Sequence, residues 1–193
     1  RRRLLDVLAG VRAARAAGLD PIKINTVLMR GVNDHEAVDL VRWATDEGVQ
    51  LRFIEQMPLD AQHAWQRDEM ITADEIGERL SSLGELRPTD GRGSAPAEQF
   101  RLGDSGHQVG IIAAVTRPFC GACDRVRLTA DGQIRNCLFA RTESDLRTPL
   151  RSGASDQELA ERWASAVATK LPGHGIDEPS FLQPDRPMSA IGG

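Results

Sequence analysis

Apolar residues return at helical spacing from the start of the chain, at Leu4, Leu5, Leu8 and Val11. That period predicts a helix over 4–17, with Gly18 placed to stop it. The rhythm then changes. Residues 22–29, Ile-Lys-Ile-Asn-Thr-Val-Leu-Met, form a short β-branched run that predicts a strand. Asn33 or Asp34 is placed to cap a second helix reaching about Glu47, which Gly48 would end. Residues 49–57 predict another strand, with Leu51, Phe53, Glu55 and Met57 on one face and Arg52, Ile54 and Gln56 on the other. Helix, strand, helix, strand at this spacing implies parallel β/α architecture. Two strands cannot close a barrel, so a complete or partial barrel would need further strands upstream.

The pattern loosens after Pro58. Residues 59–71 suit a loop, and Thr72 with Glu75 has the form of a capping box before a helix to about Leu83. Residues 88–96, rich in Gly, Pro and Ser, predict an exposed turn or linker, with strand-like segments near 98–102 and 108–115. Residues 125–129 and 133–137 flank the turn Ala130-Asp131-Gly132 as a hairpin. Ser155 with Glu158 opens a last helix, striped by Leu159, Trp163, Ala166 and Val167. The tail is proline-rich and ends Ile191-Gly192-Gly193.

A chain of 193 residues with 40% hydrophobic content is long enough to bury a core, and a net charge of −4 gives no broad nucleic-acid signature. No apolar stretch is long enough to cross a bilayer and no signal peptide is visible, so a reducing cytoplasm is the simplest compartment. Arg1-Arg2-Arg3 runs straight into the first helical pattern without an initiating Met, so the chain is expected to begin inside a larger protein.

All three cysteines fall in one short region: Cys120 and Cys123 in a Cys-x-x-Cys turn, then Cys137. The turn brings two sulfurs close, and the hairpin can return the third beside them. Soft thiolates favour zinc, copper(I) or iron–sulfur centres over magnesium. A structural zinc site, whose fourth ligand could come from His107 or His174, an iron–sulfur cluster, and redox or incidental cysteines all stay open on spacing alone. Arg125 and Arg127 are two apart, so on a strand they share a face. There they could clamp a phosphate or carboxylate, or recognise a purine edge; a solvated face with surface ion pairs is the competing reading. Lys23, with Asn25 and Val27 on its face of the first strand, could reach a phosphate or sit in water. Met57 at the second strand's carboxyl end is either core filler or near a ligand, because α/β proteins bind ligands at such ends. Gly192-Gly193, lacking side chains, could enter a narrow site or be a loose end.

Lys23-Ile24-Asn25-Thr26-Val27, Gly31-Val32-Asn33-Asp34, Arg52-Phe53-Ile54-Glu55 and the run Phe119–Gly132, with Cys137-Leu138-Phe139 and the Gly-Gly end, make a specific combination. Taken together they resemble the GTP 3',8-cyclase family, also called molybdenum cofactor biosynthesis protein A. The resemblance extends through nearly the whole chain, with 59–105 unspecific. It implies a radical S-adenosylmethionine enzyme and an α/β fold: residues 1–58 as the last β/α units of an incomplete, TIM-like barrel, and 59–193 as an α+β extension carrying an auxiliary cluster. The family's amino-terminal Cys-x3-Cys-x2-Cys motif is absent here, so this chain alone is expected to be inactive.

The same resemblance implies that Cys120, Cys123 and Cys137 hold the second of two [4Fe–4S] clusters, leaving one iron open to guanine. It assigns Lys23, Arg125, Val126 and Arg127 to GTP, Met57 to S-adenosylmethionine, and Gly192 and Gly193 to assistance in catalysis. The implied reaction lets a 5'-deoxyadenosyl radical take the 3' hydrogen of GTP, after which the ribose carbon attacks guanine C8. A homodimer, an electron donor and a downstream cyclic pyranopterin monophosphate synthase are the implied partners, with no nucleic acid and no membrane. Two residues depart from the family pattern: Asp124 stands where asparagine is usual, and Gln56 where an apolar or aromatic residue is. Another radical S-adenosylmethionine enzyme with an auxiliary cluster, or a zinc-stabilised binding module, are the alternatives.

Overall fold

The structure, a computed structural model, describes residues 3–89, 91–104 and 106–191. Its contacts divide the chain into two compact units. One runs to Gln56 and resumes at Asp68–Arg117; the other is Met57–Arg67 with everything from Pro118 onward.

The first unit is a five-stranded mixed sheet with helices packed on it. Helix α1 (Leu4–Ala16) precedes strand β1 (Lys23–Val27), and α2 (Ala37–Asp46) precedes β2 (Gln50–Ile54). β1 and β2 pair in parallel, as the alternating pattern implies, with Lys23 opposite Gln50 and Val27 opposite Ile54. α3 (Ala73–Leu80) follows, then β3 (Leu86–Pro88), β4 (Glu98–Leu102) and β5 (Gln108–Ile112). β5 lies parallel to β2 on its other side, while β4 and β3 continue antiparallel, giving the order β1-β2-β5-β4-β3. The first third is therefore parallel as expected, and the sheet as a whole is mixed.

Burial follows the pleat. Leu51 and Phe53 of β2, with Val109 and Ile111 of β5, meet Val41 and Ala44 of α2 and Ile76 and Leu80 of α3 in one core cluster. Each such side chain stabilises the fold by about 1.5–3 kcal/mol on full burial. α3 opens with the anticipated capping box between Thr72 and Glu75. The start of α2 differs from expectation. Asn33 accepts from the Met29 amide at 2.7 Å and donates to the Val27 carbonyl at 3.0 Å, so it braces the turn after β1 rather than capping the helix. Asp34 likewise bonds backward, to the Gly31 amide at 3.0 Å, and one 3-10 turn (Asp34–Glu36) intervenes before α2.

The second unit holds a small antiparallel sheet of β6 (Arg127–Leu128), β7 (Gln133–Arg135) and β8 (Ser144–Asp145), then α4 (Arg147–Arg151) and α5 (Asp156–Ala168). The hairpin is shorter than its sequence pattern suggests, because pairing begins only at Arg127 and ends at Arg135. Its turn is built as anticipated: Gly132 has φ +81°, and Thr129 takes both backbone and side-chain bonds across to Gln133. α5 has its Ser155–Glu158 capping box. Its expected apolar stripe is only partly used, with Ala166 buried while Trp163 and Val167 stay more than one-third exposed. Among the described residues, no helix is long and apolar enough to cross a membrane.

Candidate functional site

The cysteine site is set between a tight turn and a hairpin. Cys120–Ala122 form one 3-10 turn, closed by the Cys123 amide on the Cys120 carbonyl at 3.1 Å. The chain then runs extended through Asp124-Arg125-Val126 into β6, and β7 returns it to Cys137. All three cysteines are free and half-buried. Burial raises the Cys120 thiol above its usual range, and the charges of Cys137 and, more weakly, Cys123 push it further. The His174 amide and the Lys170 ammonium act the other way on Cys120.

Arginines surround these sulfurs. Arg125 puts Nη1 3.4 Å from the Cys123 sulfur and lies over the Phe119 ring at 4.9 Å. Arg127 is half-buried; burial and the charge of Arg125 lower its pKa, while Cys137 and Cys123 oppose that shift. Val126 sits half-buried between them, and Asp124 is exposed. Only Arg127 belongs to β6, so the two arginines are not held by a shared strand face as the spacing implied.

The donor set is soft, of the kind that favours zinc, copper(I) or iron–sulfur centres over magnesium. A tetrahedral zinc with Zn–S bonds of about 2.3 Å needs its sulfurs about 3.8 Å apart. Among the described residues, no group of three or more His, Cys, Asp or Glu is arranged as a site that could hold a metal ion. His107 bonds Thr45 at 2.7 Å in the first unit. His174 accepts the Ile176 amide on Nδ1 and packs against the Phe139 ring, centroids 4.8 Å apart.

Beside Cys137 opens a cavity of about 770 Å³, lined by Asn136, Phe139, Arg141, His174 and Phe181 among others. The loop that forms its wall is fixed by Arg135, which is 2% exposed. Arg135 meets Glu143 at 2.6 Å and donates to the carbonyls of Leu138, at 3.2 Å, and of Ala140. Arg186 bridges Glu143 at 2.9 Å and Asp131 at 3.2 Å, and reaches the Ala190 carbonyl at 2.7 Å.

The other sequence-derived site residues are placed as follows. Lys23 opens β1 in the first unit, on the exposed face it shares with Asn25 and Val27. Met57 is half-buried in the second unit, its carbonyl taking the Leu59 amide at 2.8 Å. Gly192 and Gly193 lie outside the described residues.

Three residues with structural weight were given no role by the sequence reading. Glu55 is fully buried and gathers four donors: the amides of Ala73, Val115 and Thr116 at 2.8–2.9 Å, and the Thr116 hydroxyl at 2.5 Å. Arg135 was hidden among many arginines. Lys170 was visible only as one of two lysines in an arginine-rich chain.

A family model described as Molybdenum Cofactor Synthesis C matches residues 49–176. The chain is 58% identical to the GTP 3',8-cyclase of Streptomyces coelicolor, covering 97% of this chain and 56% of that protein. It is 57% identical to that of Corynebacterium glutamicum, over the whole chain and 53% of the relative. For Mycolicibacterium smegmatis the identity is 55%, over the whole chain and 55% of the relative. The chain therefore spans a little over half the length of the curated relatives it matches.

Proposed function

Because the chain belongs to the Molybdenum Cofactor Synthesis C family, we propose that it is the auxiliary-cluster part of a GTP 3',8-cyclase. The whole enzyme would convert GTP to (8S)-3',8-cyclo-7,8-dihydroguanosine 5'-triphosphate in molybdenum cofactor biosynthesis, by radical S-adenosylmethionine chemistry. The observation that carries this reading is the placing of three half-buried free cysteines along one turn and the hairpin after it, with Arg125 3.4 Å from the Cys123 sulfur and Arg127 half-buried on β6.

Cys120, Cys123 and Cys137 would hold a [4Fe–4S] cluster. When bound, that cluster supplies an iron with one position left for the guanine. Arg125, steadied by the Phe119 ring, and Arg127, drawn partly out of water, offset the negative charge of the nucleotide and restrict its orientation. Val126 between them offers main-chain groups to the purine edge. Lys23 contributes a point charge to the triphosphate, and Met57 lines the S-adenosylmethionine site. Gly192-Gly193 would enter the reaction cavity, where absent side chains leave room for substrate.

The β/α units of 1–58 belong, in this reading, to an incomplete barrel, and 59–193 to the extension that follows it. A first [4Fe–4S] cluster, S-adenosylmethionine and an electron donor serve the complete enzyme, a cytoplasmic homodimer that passes its product toward cyclic pyranopterin monophosphate synthase. All three cysteines here are committed to the second cluster, so the 193 residues by themselves would be inactive.

Anaerobic reconstitution tests the proposal. Iron and sulfide should be incorporated together, the cluster's electron paramagnetic resonance should change when GTP is added, and Cys137→Ser should abolish both. Tightly bound zinc with no response to GTP refutes it and favours a zinc-stabilised module. A cluster indifferent to GTP points instead to a different radical S-adenosylmethionine enzyme.

A further inference from the structure

Lys170 follows the end of α5 by two residues, half-buried, and spends its ammonium on main-chain oxygens. It donates to the Arg125 carbonyl at 2.8 Å and to the Asn136 carbonyl. Arg125 lies two residues after Cys123, and Asn136 immediately precedes Cys137. One side chain therefore spans both arms of the hairpin at the points where they meet the cysteines. The surrounding bonds repeat the connection. Asn136 donates its amide to the Ala166 carbonyl and the Thr169 hydroxyl, each at 3.0 Å, which seats the end of α5 on the same arm. Four residues beyond Lys170, the His174 amide reaches Cys120, whose ionisation the Lys170 charge also favours.

We propose that Lys170 is a positioning residue of the cysteine centre: it ties the backbone after Cys123 to the backbone before Cys137 and fixes a positive charge beside the three thiolates. The proposal rests on the cluster reading for its redox consequence and on the hydrogen bonds alone for its structural one. Three thiolates and their metal centre carry net negative charge. A fixed ammonium beside that centre favours its more reduced, more negative state. Arginine in its place keeps the charge but spreads it over a wider plane, and Met keeps the stem while removing charge and donors together.

The test compares the full-length enzyme with its Lys170→Met, Lys170→Gln and Lys170→Arg variants. In metal-free protein, amide exchange in 124–127 and 136–138 should quicken about 10-fold in Lys170→Met and Lys170→Gln, as expected when charge-assisted hydrogen bonds that restrain local opening are lost. The rest of the second unit should keep its protection. In reconstituted protein the same two variants should lose iron to a chelator about 10-fold faster or more. Their second cluster should also reduce at a more negative potential, while Lys170→Arg stays near the unaltered value. Unchanged exchange in the two segments overturns the proposal, and so does a loss of protection spread evenly through the unit. A potential that does not separate Lys170→Met from Lys170→Arg also overturns it. If the unaltered protein takes up no iron and sulfide, the cluster reading fails on its own, and the exchange measurement still decides whether Lys170 ties the two segments.

Discussion

Replacing Glu55 with glutamine should cost the chain more than its conservative chemistry suggests. Glu55 follows β2 and is completely buried, with two donors on each carboxylate oxygen. Oε2 takes the amides of Val115 and Thr116; Oε1 takes the Ala73 amide and the Thr116 hydroxyl. An amide side chain has one acceptor oxygen. Placed at the Oε2 position, it keeps two backbone bonds and turns its NH2 toward Ala73 and Thr116. The Thr116 hydroxyl can reverse and accept, but the Ala73 amide is stranded against another donor.

A buried orphan of that kind costs about 1–3 kcal/mol. The two surviving bonds fall from charge-assisted to neutral strength, about 1 kcal/mol each. Ala73 is the first residue of α3, so the lost carboxylate also leaves the positive end of that helix. Relief from burying a charge offsets part of the sum. The expected net loss is about 2–4 kcal/mol, a large share of a typical 5–15 kcal/mol. Urea unfolding of both proteins, followed by far-ultraviolet circular dichroism, measures it. A difference below about 0.5 kcal/mol would refute the claim that Glu55 secures three segments at once. Thr116→Val, which keeps shape and removes one donor, should fall between the two.

Gly132→Ala should destabilise the hairpin by about 2 kcal/mol or more, since φ +81° disfavours any side chain and a new Cβ would lie 2.6 Å from Arg147 Cβ; differential scanning calorimetry would show a lowered Tm, and an unchanged one would sink the point. Acid should loosen the first unit partly through Asp34, whose carboxyl is held below its usual range chiefly by Arg79 and also by the Gly31 amide. A depressed folded pKa stabilises above the unfolded value and is lost as pH falls through the folded one. Asp34→Asn should therefore flatten the decline of Tm below about pH 4 and lower Tm at neutral pH.

The parallel part of the fold was legible because its signals are local. Period 3.6, then β-branched runs, then Gly18 and Gly48 at the helix ends, specify α1, β1, α2 and β2 without reference to distant residues. β5 could not be placed in the same way. Its run reads as a strand, yet only the burial of Phe53 and Ile111 on a common core sets it beside β2 across the long loop and α3. The cysteine spacing gave the site, since Cys-x-x-Cys and a returning hairpin are close in sequence. What it could not give was the support. Lys170 is 45 residues from Arg125, and Glu55 is 61 from Thr116. Lys170 lies in no motif, and the segment that holds Glu55 does not name its partners, because a residue that bonds main-chain atoms imposes no side-chain identity on them.

That distinction also bears on Asp124, the carboxylate standing beside the arginines. Arg125 lies over the Phe119 ring and reaches the Cys123 sulfur. Asp124 is itself exposed, so its charge is seen through water. Two unit charges ~6 Å apart in water interact by about 0.7 kcal/mol, and physiological salt weakens this further. In the proposed reading, such repulsion would change nucleotide affinity by about threefold for each unit of ligand charge at that distance. Arg127 is half-buried, where charges act through a lower dielectric, so its attraction for the same ligand is the stronger effect. Exposure, more than proximity in sequence, therefore decides which charge governs this site, and the acidic substitution is compatible with binding an anion there.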